Sequence, residues 1–163
     1  MGNPLFVKNA SIKFVIPPAL IATATEFNCD VHLAEIVATP GDDVTYQTLC
    51  QNGTLTQKGA TTYVLHIVAV QDWSTTGFAR FLWTNAGVTV RAVVQAYGAT
   101  QAFDAAHPGF DTSVVLVEPT YGGEADTWAE LDVELPCTVR PVLLTAAPTA
   151  EFAPEPESEA VAA

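Results

Sequence analysis

Three histidines, three cysteines and eighteen carboxylates are the side chains in this 163-residue chain best suited to chemistry. Nucleophilic catalysis needs a base held beside the nucleophile, and the sequence has no G-x-S-x-G elbow and no two histidines on one element. His66 lies in a strand-like run that is otherwise apolar and reads as a satisfied core histidine. His32 falls on a polar face, and His107 precedes Pro108 in a loop. Cys29, Cys50 and Cys137 are odd in number and widely spaced, with no C-x-x-C, so they encode neither a disulfide framework nor a zinc knuckle. All three read as small buried hydrophobes. Cys29 and His32 are three apart, which on a strand sends them to opposite faces.

The remaining motifs are equally plain. Asp42-Asp43 and the Glu124/Asp126 pair follow no calcium-loop frame and read as solvated loop acids. Gly122-Gly123 lacks the spacing of a phosphate cradle and precedes acids that would repel one, so it reads as a tight turn. Asn9-Ala10-Ser11 and Asn52-Gly53-Thr54 match the glycosylation frame without a secretory signal. The expectation is a non-enzyme with no metal and no cofactor. One charge pattern stands out: Glu130, Asp132 and Glu134 alternate, so on a strand they share a face and repel one another by tenths of a kcal/mol each.

The elements that would carry these residues are mostly strands, because β-branched and aromatic residues recur with period two. From Glu26 to Ile36, Phe27, Cys29, Val31 and Leu33 face one way and Asn28, Asp30, His32 and Ala34 the other, until the pattern slips near Glu35. Val44 to Gln51 runs through Asn52-Gly53 into Thr54 to Gln57, a hairpin signal whose tip should protrude. Tyr63 to Val70, apolar on both faces apart from His66, should be a central strand covered on both sides. A short helix follows, with Asp72 or Ser74 as its cap, Phe78, Phe81 and Leu82 as its buried stripe and Asn85-Ala86-Gly87 as its stop.

Strand returns over Val88 to Ala96 and Thr112 to Glu118, either side of a long loop from Tyr97 to Pro108. Thr127 to Leu135 alternates most regularly, with Ala129, Leu131, Val133 and Leu135 facing the core and Trp128 sharing the acidic face. The fold class is therefore mainly β, a β-sandwich or partly closed barrel with one short α-helix packed on it.

Composition sets the outer limits. A 17.3 kDa chain with 49% hydrophobic and 15% charged residues suits one domain with an ample core. Residues 146–163 hold four Glu, three Pro and no base and read as an acidic tail, mobile or lying on a neighbour, attached to a β domain of residues 1–145. A net charge of −12 repels phosphate, which excludes a sequence-reading nucleic-acid binder. No run approaches the ~20 apolar residues that span a bilayer. The chain is expected to be soluble, free of membrane and made in a cytoplasm.

The order of these features resembles the major tail tube proteins of long-tailed bacteriophages. The resemblance covers most of the body. It rests on Phe27-x-Cys29, the Thr39-Pro40 break, Thr48-Leu49-Cys50 before a turn, Gln71-Asp72-Trp73, Phe81-Leu82-Trp83, Asn85-Ala86-Gly87-Val88, the Tyr121-Gly122-Gly123 turn and a closing strand ending at Leu135-Pro136. The acidic segment from Ala146 departs from the minimal form of that family.

The resemblance implies a virion protein, made in the host bacterial cytoplasm. Six subunits would join inner strands into a ring, and the rings would stack into a conduit for ejected DNA. Its partners would be further copies of itself, together with tape measure, tail terminator and baseplate proteins, while DNA passes without specific binding. A loop over residues 38–62 would reach the next ring, making Gly41, Asp42, Asp43, Asn52 and Gly53 candidate ring-to-ring contacts. A conduit for a polyanion needs a repelling wall, so Asp30, Glu130, Asp132 and Glu134 are candidate lumen-lining residues. Alternatives are a head decoration or tail terminator protein, or a carbohydrate-binding sandwich using Trp73, Trp83 and Trp128 as its platform.

Overall fold

The computed structural model describes residues 10–19, 21–27, 30–48, 53–96 and 102–150. Cys29, Cys50, Asn52 and the acidic stretch 151–163 lie outside them. The elements in chain order are β1 (Ser11–Val15), a 3-10 turn (Ile21–Thr23), β2 (Thr25–Glu26), β3 (Val31–Thr39), β4 (Val44–Gln47), β5 (Thr54–Gln57), β6 (Thr62–Val70), α1 (Phe78–Thr84), β7 (Thr89–Gln95), β8 (Gly109–Val115), β9 (Glu130–Pro136) and β10 (Val142–Leu144).

The chain is mainly β, and its antiparallel sheets do not close into a barrel. A five-stranded sheet runs β10-β8-β7-β1-β2, a three-stranded sheet runs β3-β6-β9, and β4 with β5 forms a separate hairpin. Alternation explains how the first two enclose a core. Ile12 and Phe14 from β1, Val90, Ala92 and Val94 from β7 and Val114 from β8 meet Leu65, Ile67 and Ala69 from β6 and Leu131, Val133 and Leu135 from β9, all buried. Each Val, Leu, Ile or Phe among them contributes about 1.5–3 kcal/mol on leaving water. This is a two-layer sandwich.

The helix closes the core beside β1 and the residue after β2. Phe78, Ala79 and Leu82 are fully buried, and Phe14, Phe27, Phe78 and Phe81 pack with ring centroids 5.0–6.1 Å apart. Neither Asp72 nor Ser74 caps it. Asp72 Oδ1 instead accepts from its neighbour Ser74 N at 2.8 Å, while the Phe78 N–H at the helix start donates to Asp30 Oδ2 at 3.2 Å. The N-cap is Gly77, where any β-carbon would strike the Asp72 carbonyl. The predicted stop holds: Asn85 N and Nδ2 both donate to Phe81 O, and Gly87 adopts φ 81°.

Two expectations about strands change. The run from Glu26 splits into β2 and β3, and a register shift between Val31 and Leu33 turns Ala34 and Ile36 towards the core and Leu33 outward. Central β6 buries only one face, so His66 is not a core residue. The strand covered on both sides is β7, buried from Val90 to Gln95. Its second face carries the buried ion pair of Arg91 with Asp111, and Arg91 Nη1 also donates to Ala150 O at 3.1 Å. The end of the described chain thus lies over this face. The β8 strand begins at Gly109, earlier than predicted, and β1, carried by the Ile12-Lys13-Phe14 alternation, completes the sheet.

Candidate functional site

The predicted acidic face exists. Strand β9 alternates exposed Glu130, Asp132 and Glu134 with buried Leu131, Val133 and Leu135, so one face of the three-stranded sheet is anchored in the core and the other presents carboxylates. Glu35 in β3, His66 in β6 and Glu134 in β9 form one row across the sheet, with Asp132 beside Val68 in the next but one. The bulge after Val31 is what brings Glu35 to this face. None of the three strands contains Lys or Arg.

His66 is held at both ring nitrogens: Nδ1 lies 2.9 Å from Glu35 Oε1 and Nε2 lies 2.8 Å from Asp132 Oδ1. Hydrogen bonding to Glu35, then to Asp132, raises its pKa against the opposing effect of desolvation. Sequence reasoning missed both His66 and Glu35 as members of this face. The available signal was the slip in alternation near Glu35, which marks where a strand changes its outward residues. The face is also less uniformly polar than expected, because Leu33 and Val37 are exposed on β3 at 37% and 42%.

Asp30 is not among these residues. Its carboxylate accepts from Phe78 N at the helix start, and its carbonyl accepts from Val70 N at 2.9 Å. It ties β3, β6 and the helix together.

The segment from β3 to β6 is one long hairpin with an interruption. Ala34 pairs with Ile67, Thr39 with Thr62, Val44 with Gln57 and Gln47 with Thr54, all in the same register. Gly41 marks the neck, since a β-carbon there would lie 2.5 Å from Ala60 O. Asp43 secures it through Lys58 Nζ at 2.8 Å and Gly59 N at 3.3 Å. Asp42 is exposed beside it. The expected Asn52-Gly53 turn falls partly outside the described residues; Gly53 itself lies opposite Thr48, whose N–H donates to Gly53 O at 2.8 Å, in continuation of the register of β3 and β6. Beyond the neck every residue of β4 and β5 is exposed, with Val44, Tyr46 and Leu55 at 47%, 64% and 64%.

The Gln71-Asp72-Trp73 and Tyr121-Gly122-Gly123 motifs meet in space. Gln71 Nε2 donates to Gly122 O and Glu130 O, and its Oε1 accepts from Gly122 N and Trp73 Nε1. Trp73 packs edge-on against both Trp83 and Tyr121. These residues latch the loop before β9, and Gly122 adopts φ 98° there. His107 is paired with Asp104, whose carboxylate also accepts from the N–H groups of Ala106 and His107 and has its pKa lowered chiefly by the His107 side chain. Cys137 is half-buried against the core, and burial raises its pKa.

A cleft of about 410 Å³ beside the helix, lined by Thr25, Phe27, Thr75, Thr76, Arg80 and Asn85 among others, offers no carboxylate, imidazole or thiol. Among the described residues no group of three or more His, Cys, Asp or Glu is placed to hold a metal ion, and no helix is long and apolar enough to cross a membrane. Neither a model of a known protein family nor a curated protein matches the sequence.

Proposed function

We propose that this chain is a structural subunit that polymerises head to tail, in the manner of a phage tail tube protein, into stacked hexameric rings around a negatively lined channel for DNA. The observation that carries the reading is the three-stranded sheet itself. Its edge strands β3 and β9 are nine and seven residues long and have no further strand beside them among the described residues, whereas the edges of the larger sheet are only two and three residues long. A monomeric β protein keeps bare edges short, charged or covered, because unpaired N–H and C=O groups recruit other strands. Here β3 carries Glu35 as its only acid and no Lys or Arg. Two non-equivalent edges on one sheet suit a heterologous contact, which closes a ring when the rotation permits.

The acidic face and the arm extend the reading. Joined sheets would present Glu130, Asp132 and Glu134 around the bore, where they repel phosphate uniformly and offer it no site at which to be held. The arm, with Tyr46 and Leu55 exposed on a two-stranded hairpin too small to be stable alone, suits the contact between rings. There would be no active site, and the partners would be further copies of the chain and the proteins that start and end the tube.

Sedimentation over a concentration series tests the edge directly, comparing the natural chain with Val37→Lys. Lysine on an edge strand opposes pairing, and Val37 is exposed enough to accept it. The expected result is concentration-dependent assembly of the natural chain and none of the variant, with both equally folded. Equal assembly by both would refute the use of this edge.

A further inference from the structure

The side chains of Glu35, His66 and Asp132 link all three strands of the exposed sheet: the imidazole rises from central β6, touches Glu35 directly across on β3 and reaches Asp132 diagonally on β9. Both ring nitrogens lie within 3 Å of a carboxylate oxygen. A neutral imidazole has one N–H, so it satisfies one of these carboxylates and turns a lone pair towards the other. Only the imidazolium donates to both.

We propose that Glu35, His66 and Asp132 form a proton-held clasp across β3, β6 and β9, which draws the two edge strands onto the centre of the sheet while the imidazole carries its second proton and releases them as that proton leaves. This goes beyond the assembly reading and does not depend on it.

The surroundings favour the protonated ring. Glu134 of β9 stands directly across from His66, Glu130 lies further along β9, and from β3 the face receives Glu35 between the apolar Leu33 and Val37. His32, exposed at the β3 bulge, is the only other ionisable base on these strands. Two carboxylates therefore hold the ring and two more share its sheet face, with no lysine or arginine on the three strands to compete for them, and the raised pKa of His66 has the direction this requires. The sign follows. A histidine whose pKa is higher in the folded than in the unfolded chain contributes stability fully below its unfolded value, about 6.5. That contribution is lost as pH rises through the raised folded value. The same step removes one positive charge from the face, so the clasp and the net charge of the sheet change together.

The test is a pH titration of the imidazole resonances by NMR on the full chain, kept dilute enough to remain monomeric, with the urea-unfolded chain as reference. His66 is expected to titrate above the reference, and Glu35→Gln and Asp132→Asn are each expected to shift it downward. Urea midpoints should fall as pH rises through the His66 transition in the natural chain, and His66→Gln should remove that fall. Amide exchange in β3 and β9, corrected for its intrinsic pH dependence, should accelerate over the same interval relative to β7. A His66 that titrates at or below the reference overturns the clasp, as does one that neither carboxylate variant moves. Should His66→Gln fail to fold, the two carboxylate variants decide the matter by the same shifts. Because all readings are taken on monomer, failure of the clasp and failure of assembly are separate results.

Discussion

Arg91 and Asp111 show what a pair of opposite charges does when it is buried rather than exposed. Both side chains are 6% accessible, and Arg91 Nε and Nη2 both reach the Asp111 carboxylate. Asp111→Ala removes the carboxylate that neutralises this buried guanidinium and is expected to destabilise the fold by about 3–5 kcal/mol, measured by urea unfolding at pH 7. Asp30 makes a subtler case. Its side chain serves the amide of Phe78, 48 residues away, so Asp30→Ala should cost about 0.5–2 kcal/mol as a lost helix cap, and Asp30→Asn should recover most of it. Equal loss with Asn and Ala would contradict the capping role. Nothing in the neighbourhood of Asp30 in sequence announces this partner, and alternation alone placed it on a wet face. His66 was misplaced for a related reason. An apolar strand suggests burial on both sides, and only the tertiary arrangement decides which side is left open. By contrast, Glu130, Asp132 and Glu134 were legible because an alternating strand fixes its own two faces.

At the scale of elements, the arm is governed by a register it does not choose. The ladder between β3 and β6 runs through eight paired positions and carries its alignment past the Gly41 neck into β4 and β5. The hairpin itself was legible from its alternation and turn residues, while its alignment was not, because that is set by strands up to 13 residues before the arm begins. Leu55→Asp is expected to leave the unfolding midpoint within about 0.5 kcal/mol of the natural chain, since the side chain is exposed in the isolated subunit. The same variant should impair the stacking of rings, seen as rings or short stacks by electron microscopy. Gly41→Val, in contrast, forces the two strands of the neck apart and should weaken assembly by misdirecting the arm. The two-sided burial of β7 was equally hidden, because the partners of its outer face are distant in sequence: Arg91 pairs with Asp111 and donates to Ala150 O.

At the scale of the whole molecule, charge and edges work in opposite directions. In the proposed assembly, a net charge of −12 would keep separate subunits apart, and strands β3 and β9, unpaired on their outer sides among the described residues, would draw them together once aligned. The fold class and the acidic strand could be read from periodicity, whereas the sorting of strands into the two core sheets, one with long edges unpaired among the described residues, required the pairing partners to be known. If the acidic face lines a channel, replacing Glu130, Asp132 and Glu134 with Lys should yield assemblies that retain double-stranded DNA and release it as salt rises, while natural assemblies pass it. Equal DNA retention by both would place those residues elsewhere. The most direct measurement of the central claim is negative-stain electron microscopy of the purified chain over a concentration series, with and without residues 146–163. Rings and stacked tubes with a central channel are the predicted result, and particles that remain monomeric at every concentration would contradict it.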